Sequence, residues 1–215
     1  MKHLFFCLLF FFVIFSTFAQ VGKKYPSMSG DNLTGKEISI PMSNGKVTLV
    51  AIAYSEDAEE YLKAWRQPLF DLFIQAPGTN LFDFEPYDAN IKFVVLLTGA
   101  KRIVSGKVKS KLEENVKPHW KEHILVVKGK SLESFPDLAL GTNKEERKLP
   151  YFYLLDKNGK IVYHTSGKYS KQKQQEIDGH LQEMLGDNQF DKSKKEKPKD
   201  DKKDDKKEDK KGKKK

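Results

Sequence analysis

The chain has 215 residues, with 39 Lys and Arg against 30 Asp and Glu, a formal net charge of +9 and a single cysteine, Cys7. That charge is unevenly placed: residues 191–215 hold 14 Lys and 8 acidic residues, whereas residues 20–190 hold 24 basic and 22 acidic ones and are close to neutral. No nucleic-acid partner is expected on this evidence, since the basicity belongs to the tail and no basic stripe with interleaved aromatics runs through the body.

The first 19 residues open Met1-Lys2-His3, run apolar from Leu4 to Phe15 and end Ser16-Thr17-Phe18-Ala19. A charged start, an apolar centre and small residues at Thr17 and Ala19 form the layout of a cleaved export signal. The apolar run is shorter than the roughly 20 residues that span a bilayer, which favours cleavage over a retained membrane anchor. Cys7 lies inside this segment, so the mature chain is expected to carry no thiol, and with it neither a disulfide framework nor a redox nucleophile. Export is the expected localisation. The bacterial periplasm is preferred over an extracellular or membrane-anchored state. At the other end, residues 191–215 are almost wholly Lys, Asp and Glu and are expected to be a disordered tail, too poor in apolar surface to offset the entropy of ordering. Residues 20–190 are then one domain, long enough for a substantial core.

Within that domain Tyr25 to Gly35 is polar and turn-rich and reads as a lead-in. Lys36 to Ile40 alternates as a short strand stopped by Pro41. Asn44-Gly45 is a turn signal, and Val47 to Tyr54 is an almost continuous apolar strand, expected at the centre of a sheet with helices on both sides. Ser55 is a candidate N-cap followed by Glu56, Asp57, Glu59 and Glu60, carboxylates that favour the positive end of a helix dipole. Ala58, Tyr61, Leu62, Trp65, Leu69, Leu72 and Phe73 recur at helical spacing, with Pro68 predicted to kink the helix without ending it. Trp65 is read as a core anchor of that face. Ala76-Pro77-Gly78-Thr79 breaks the pattern, and Asn80 to Asn90 has no clear assignment. Phe93 to Leu97 is a buried strand. Lys101 to Val116 is predicted as a basic-faced helix carrying Ile103, Val104, Val108 and Leu112, weakened by Gly106. Ile124 to Val127 is another short strand, and Ser131 to Glu146 is a loop or short helix pinned by Phe135, Leu138 and Leu140.

The stretch from Lys148 to Tyr163 organises the rest. Tyr151 to Leu155 and Ile161 onward read as two strands joined by a turn at Asp156 to Gly159, with Pro150 at the mouth of the first strand, where its missing N–H costs least. Gly167, a polar cap at Ser170 and a helix bearing Ile177, Leu181, Met184 and Leu185 follow. Proline, strand, Asp-x-x-Gly turn, strand, glycine and helix resemble the closing half of the thioredoxin-like superfamily. The lead-in, strand, Asn-Gly turn and central strand resemble the opening of its exported TlpA and peroxiredoxin-like members. This resemblance implies an α/β three-layer sandwich, a mixed central sheet flanked by helices, in which Pro150 takes the place of the superfamily's cis proline. It also implies that the loop after the central strand and the proline loop lie side by side and bind extended peptide: Tyr54, Ser55 and Glu56 facing Leu149, Pro150 and Tyr151. A more scattered resemblance, through Ala64-Trp65-Arg66-Gln67-Pro68 and Tyr153-Leu154-Leu155-Asp156, is to the thioredoxin-like mitochondrial ATP-synthase assembly factors.

Redox-active thioredoxin relatives place a Cys-x-x-Cys just after the central strand, where the helix N-terminus activates the thiol. Here that position reads Tyr54-Ser55-Glu56-Asp57-Ala58, so thiol–disulfide oxidoreductase activity is not expected and no catalytic residue is assigned. His119-Trp120-Lys121-Glu122-His123 matches the spacing His-x-x-Glu-His of inverted zinc proteases. However, Ile124 begins a strand at once and leaves only one helical turn, so no metal or other cofactor is assigned, and His119 and His123 are read as surface residues entering a strand. His164 and His180 are read as partly exposed structural residues, neither having a nucleophile nearby in sequence. The favoured reading is a non-redox protein-binding or assembly module whose groove takes an unidentified protein or extended peptide by strand addition. The alternatives are a metal-dependent enzyme using His119 and His123, and a domain held weakly to a membrane surface by its charged tail.

Overall fold

The computed structural model describes residues 20–74, 86–129 and 145–186. The expectations for residues 1–19, 76–85, 131–144 and 191–215 fall outside these.

The run TLVAIA forms strand β3 (Thr48–Ala53), with all six side chains buried. Only a strand covered on both faces tolerates apolar residues at every position. On one side β3 pairs in parallel with β4 (Asn90–Leu97), Ala51 opposite Phe93, and β4 pairs in parallel with β5 (Ile124–Lys128), Val95 opposite Val126. On the other side β6 (Tyr151–Leu155) runs antiparallel, Ile52 opposite Tyr151, and β7 (Ile161–Ser166) closes a hairpin on β6. Two further strands, β1 (Met28–Asn32) and β2 (Glu37–Ile40), extend the sheet antiparallel beyond β5. The order is β2-β1-β5-β4-β3-β6-β7. A central parallel unit with crossover helices, an antiparallel hairpin on its other flank and a final helix make this a thioredoxin-like α/β fold.

Between β3 and β4 lie α1 (Glu56–Lys63) and α2 (Arg66–Phe73); α3 (Ser105–Asn115) and the single turn α4 (Pro118–Lys121) link β4 to β5; α5 (Lys171–Leu185) follows β7. Alternation along the strands divides the core. Leu49, Phe93, Phe152 and Leu154 face Trp65, Leu69 and Phe73 of the α1–α2 segment and Ile177 and Leu181 of α5. Farther along that side Val95, Leu97 and Val126 receive Val108 and Leu112 of α3. Among the described residues the opposite face, with Val50, Ile52, Val94, Leu125 and Tyr153, is packed by Tyr25, Met28 and Ile40. The hairpin turn also seats against the other end of the chain. Gly159 has φ +77, and a Cβ there would lie 2.5 Å from two carbons of Pro41. Asp156 accepts the N–H groups of Asn158 and Lys160 at 2.8 Å each, the local bonding that an Asp-x-x-Gly turn provides.

Several expectations are corrected. Part of the lead-in from Tyr25 to Gly35 is strand β1. Ser29, Gly30 and Asp31 are turn-forming residues, yet Gly30 is where the backbone runs against β5: a Cβ there would sit 2.3 Å from Val126 O. The kinked helix is two helices. Pro68 cannot donate to the Ala64 carbonyl, and the break falls there, with the Trp65 N–H donating to Leu62 O at 3.0 Å before α2 begins. The helix expected from Lys101 starts at Ser105, after a 3₁₀ turn over Gly99–Arg102, so Val108 and Leu112 reach the core while Ile103 is 88% exposed and Val104 44%. Finally, the Leu149–Pro150 bond is trans; the cis peptide among the described residues is Ile40–Pro41.

Candidate binding site at the carboxyl end of β3

β3 ends at Ala53 beside the start of β6, so residues 54–56 and 149–151 meet at one edge of the sheet. Ser55 has extended backbone, φ −138 and ψ 161, and caps α1 by accepting the Ala58 N–H at 3.1 Å. Its hydroxyl donates in turn to the carbonyl of Arg147 at 2.9 Å. Arg147 belongs to a 3₁₀ turn, Glu146–Lys148, whose Glu146 carbonyl receives the Leu149 N–H at 3.1 Å and the Tyr151 hydroxyl at 3.3 Å. The two loops therefore lie side by side, as the resemblance implied, and are joined through Ser55.

The six candidate residues do not share one environment. Pro150 and Tyr151 are buried, and the Pro150 carbonyl accepts the Gly167 N–H at 3.0 Å. Glu56 is exposed, while Ser55, Tyr54 and Leu149 are half-buried. The accessible surface is thus Glu56, Ser55 and Leu149 together with Glu146 and Arg147. The Leu149 N–H is engaged by the Glu146 carbonyl and is not open for strand addition. Tyr54 lies against Tyr151, ring centroids 6.1 Å apart, and its hydroxyl oxygen is buried without a hydrogen bond of good geometry. Burial lifts its phenol well above the ordinary tyrosine range, and Tyr151 adds to the rise. Glu59, one turn into α1, is raised above the usual carboxylate range by burial, with Lys101 opposing the shift. Sequence reasoning missed the roles of Glu146 and Arg147, because both act through backbone carbonyls and leave no side-chain signal.

Trp65 is fully buried, packs on Phe152 at 4.4 Å and donates its indole N–H to Gly167 O at 3.2 Å. It is the core anchor expected of it, and it ties the helix break to the segment that carries Pro150's partner, Gly167. The histidines of the His-x-x-Glu-His match are held separately. His119 packs edge-on against Phe70 at 5.1 Å, whereas His123 bonds through Nδ1 to Ile91 O at 3.2 Å and faces Glu122 through Nε2 at 3.3 Å. His164 stacks on Tyr153, ring centroids 6.2 Å apart, and His180 lies tilted against Tyr163 at 4.5 Å. Among the described residues no group of three or more His, Cys, Asp and Glu converges as a metal site would require.

No family model matches the chain. No curated protein sequence matches it either. Solved structures are similar to it. One is the pneumococcal exposed lipoprotein thioredoxin Etrx1 from Streptococcus pneumoniae strain TIGR4, at 14% identity and TM-score 0.49, covering 74% of this chain and 99% of that one. A thiol peroxidase from Chromobacterium violaceum is 13% identical with TM-score 0.48, over 76% of this chain and 86% of that one. A peroxiredoxin-like protein from Aquifex aeolicus is 11% identical with TM-score 0.46 over the same shares. The fold assignment stands on strand order, pairing and register, independently of these scores.

Proposed function

We propose that this chain is an exported, thiol-free thioredoxin-like module that binds a protein partner at the edge formed by Glu56, Ser55, Leu149 and the Glu146–Arg147 turn, and performs no redox chemistry. The observation that carries the reading is the use made of Ser55. At the place where redox relatives carry a nucleophilic thiol, its hydroxyl is committed to two hydrogen bonds, one capping α1 and one bracing the proline loop. The proton of a serine so engaged is donated to a backbone carbonyl and not to a side-chain base, and the carboxylates of Glu56, Asp57 and Glu59 in the first turn of α1 would oppose any anionic nucleophile. What remains of the superfamily's site is its shape. Export follows from the layout of residues 1–19, and the charged tail keeps the domain solvated, with weak membrane-surface attraction as its further role.

Affinity capture from the native extract tests the reading, with the full chain run beside a Glu56→Lys/Leu149→Asp variant that retains its thermal melt. A partner held by the wild type and lost by the variant supports the site; one held equally by both moves the function to another face. Zinc analysis tests the alternative enzyme: stoichiometric metal lost on changing His119 and His123 to Ala would establish it.

A further inference from the structure

The carboxyl ends of β4 and β5 carry a feature that the binding site does not use. After Leu97 the chain makes the 3₁₀ turn Gly99–Arg102 and then presents Ile103 and Val104 to solvent before α3 begins. Ile103 is 88% exposed, the most exposed of the large apolar side chains among the described residues. Lys101, Arg102 and Lys107 flank it in sequence and are exposed, as is Lys128 at the end of β5, opposite Leu97. A shallow cleft lined by Gly99, Ala100, Arg102, Ile103 and Lys128 opens beside the tip. None of Lys101, Arg102, Lys107 and Lys128 is in a salt bridge among the described residues, although Lys101 acts electrostatically on Glu59 of α1.

We infer that this loop is a docking point for an anionic lipid surface, with Ile103 and Val104 entering the headgroup boundary and Lys101, Arg102, Lys107 and Lys128 meeting lipid phosphates. Two features select this occupant over an acidic protein. The apolar area is a two-residue tip, and none of the described residues lining the cleft beside it is aromatic, whereas a stable protein interface needs roughly 800 Å² on each partner and an apolar, aromatic-rich centre. A small apolar tip ringed by cations is what interfacial membrane binding requires, because each part supplies one of its two driving forces. The loop lies on the same edge of the sheet as Ser55, so docking would bring the binding site up to the membrane.

The test uses the full chain, tail included, and co-sedimentation with vesicles of phosphatidylcholine containing phosphatidylglycerol. Wild type is expected to bind, less at high salt and less to phosphatidylcholine alone. Ile103→Ser/Val104→Ser and Lys101→Glu/Arg102→Glu, whose sites are exposed and whose melts are checked, are each expected to bind at least roughly ten-fold more weakly, the first through two lost aliphatic side chains and the second through two reversed charges. An Ile103→Trp variant is expected to show a blue-shifted emission with anionic vesicles and quenching by brominated lipid. Binding unchanged in both double variants would assign the interaction to the tail and overturn the inference. So would no binding by wild type, or a tip that captures an acidic protein while ignoring vesicles.

Discussion

The hydroxyl of Ser55 donates to the carbonyl oxygen of Arg147 at 2.9 Å, although 92 residues separate them, and the Ser55 Oγ also accepts the Ala58 N–H that opens α1. One side chain thus caps a helix and fixes the distance between two loops. Ser55→Ala removes both bonds and leaves the Arg147 carbonyl without that donor. A loss of about 1–2 kcal/mol is expected, the range for an N-cap and its hydrogen bonds, read as a lower urea midpoint with an unchanged slope.

Trp65 joins the break between α1 and α2 to Gly167 and packs on Phe152. Trp65→Phe keeps most of the packing but strands the Gly167 carbonyl, and about 1–3 kcal/mol should be lost. Trp65→Ala opens a cavity beside Phe152 as well and should lose about 3–5 kcal/mol. Denaturant titration of both variants measures the two contributions. Equal losses would mean that the packing on Phe152 contributes nothing beyond the indole bond.

Gly30→Ala is expected to detach the β1–β2 hairpin from β5, since the added Cβ would meet Val126 O at 2.3 Å and backbone cannot yield as a side chain can. Hydrogen exchange should quicken at residues 28–40 and at Val126 while β3 and β4 stay protected.

These elements also mark how far the sequence could be read. The apolar runs of β3 and of residues 93–97 in β4, the Asp-x-x-Gly hairpin, the Ser55 cap and the Ile177–Leu181 face of α5 follow from local chemistry, and each is where composition places it. β1 was hidden because its Gly30 serves a long-range close approach, while its neighbours look like turn residues. Ile103 and Val104 looked like helix core because spacing gives phase but not the point at which a helix starts. At the candidate site the juxtaposition of the two loops was legible through the resemblance. The exposure of each residue was not: Pro150 and Tyr151 proved buried, and the Glu146 and Arg147 carbonyls cannot be read from side-chain identity.

His123 gives the fold a pH dependence. Burial holds its imidazole below the ordinary histidine range, and nearby Lys92 lowers it further, against the raising effects of Ile91 O and Glu122. A depressed folded-state value favours the neutral ring, so the stabilisation is present above the unfolded-state value of about 6.5 and is lost as pH falls through the folded-state value. Urea midpoints should therefore drop between neutral pH and pH ~5. That drop should be smaller in His123→Asn, whose amide can still donate to Ile91 O. An identical pH profile in the variant would assign the loss to other groups.

The most direct test of the binding account is site-specific photo-cross-linking in the native host, with a benzophenone amino acid placed in the full chain at Glu56, at Leu149 or, as a control, at Lys157. Lys157 sits in the turn at the other end of β6. Discrete protein adducts from positions 56 and 149 and none from 157 are the predicted result. Adducts confined to 157, or none from 56 and 149 in a chain that remains folded, would contradict it.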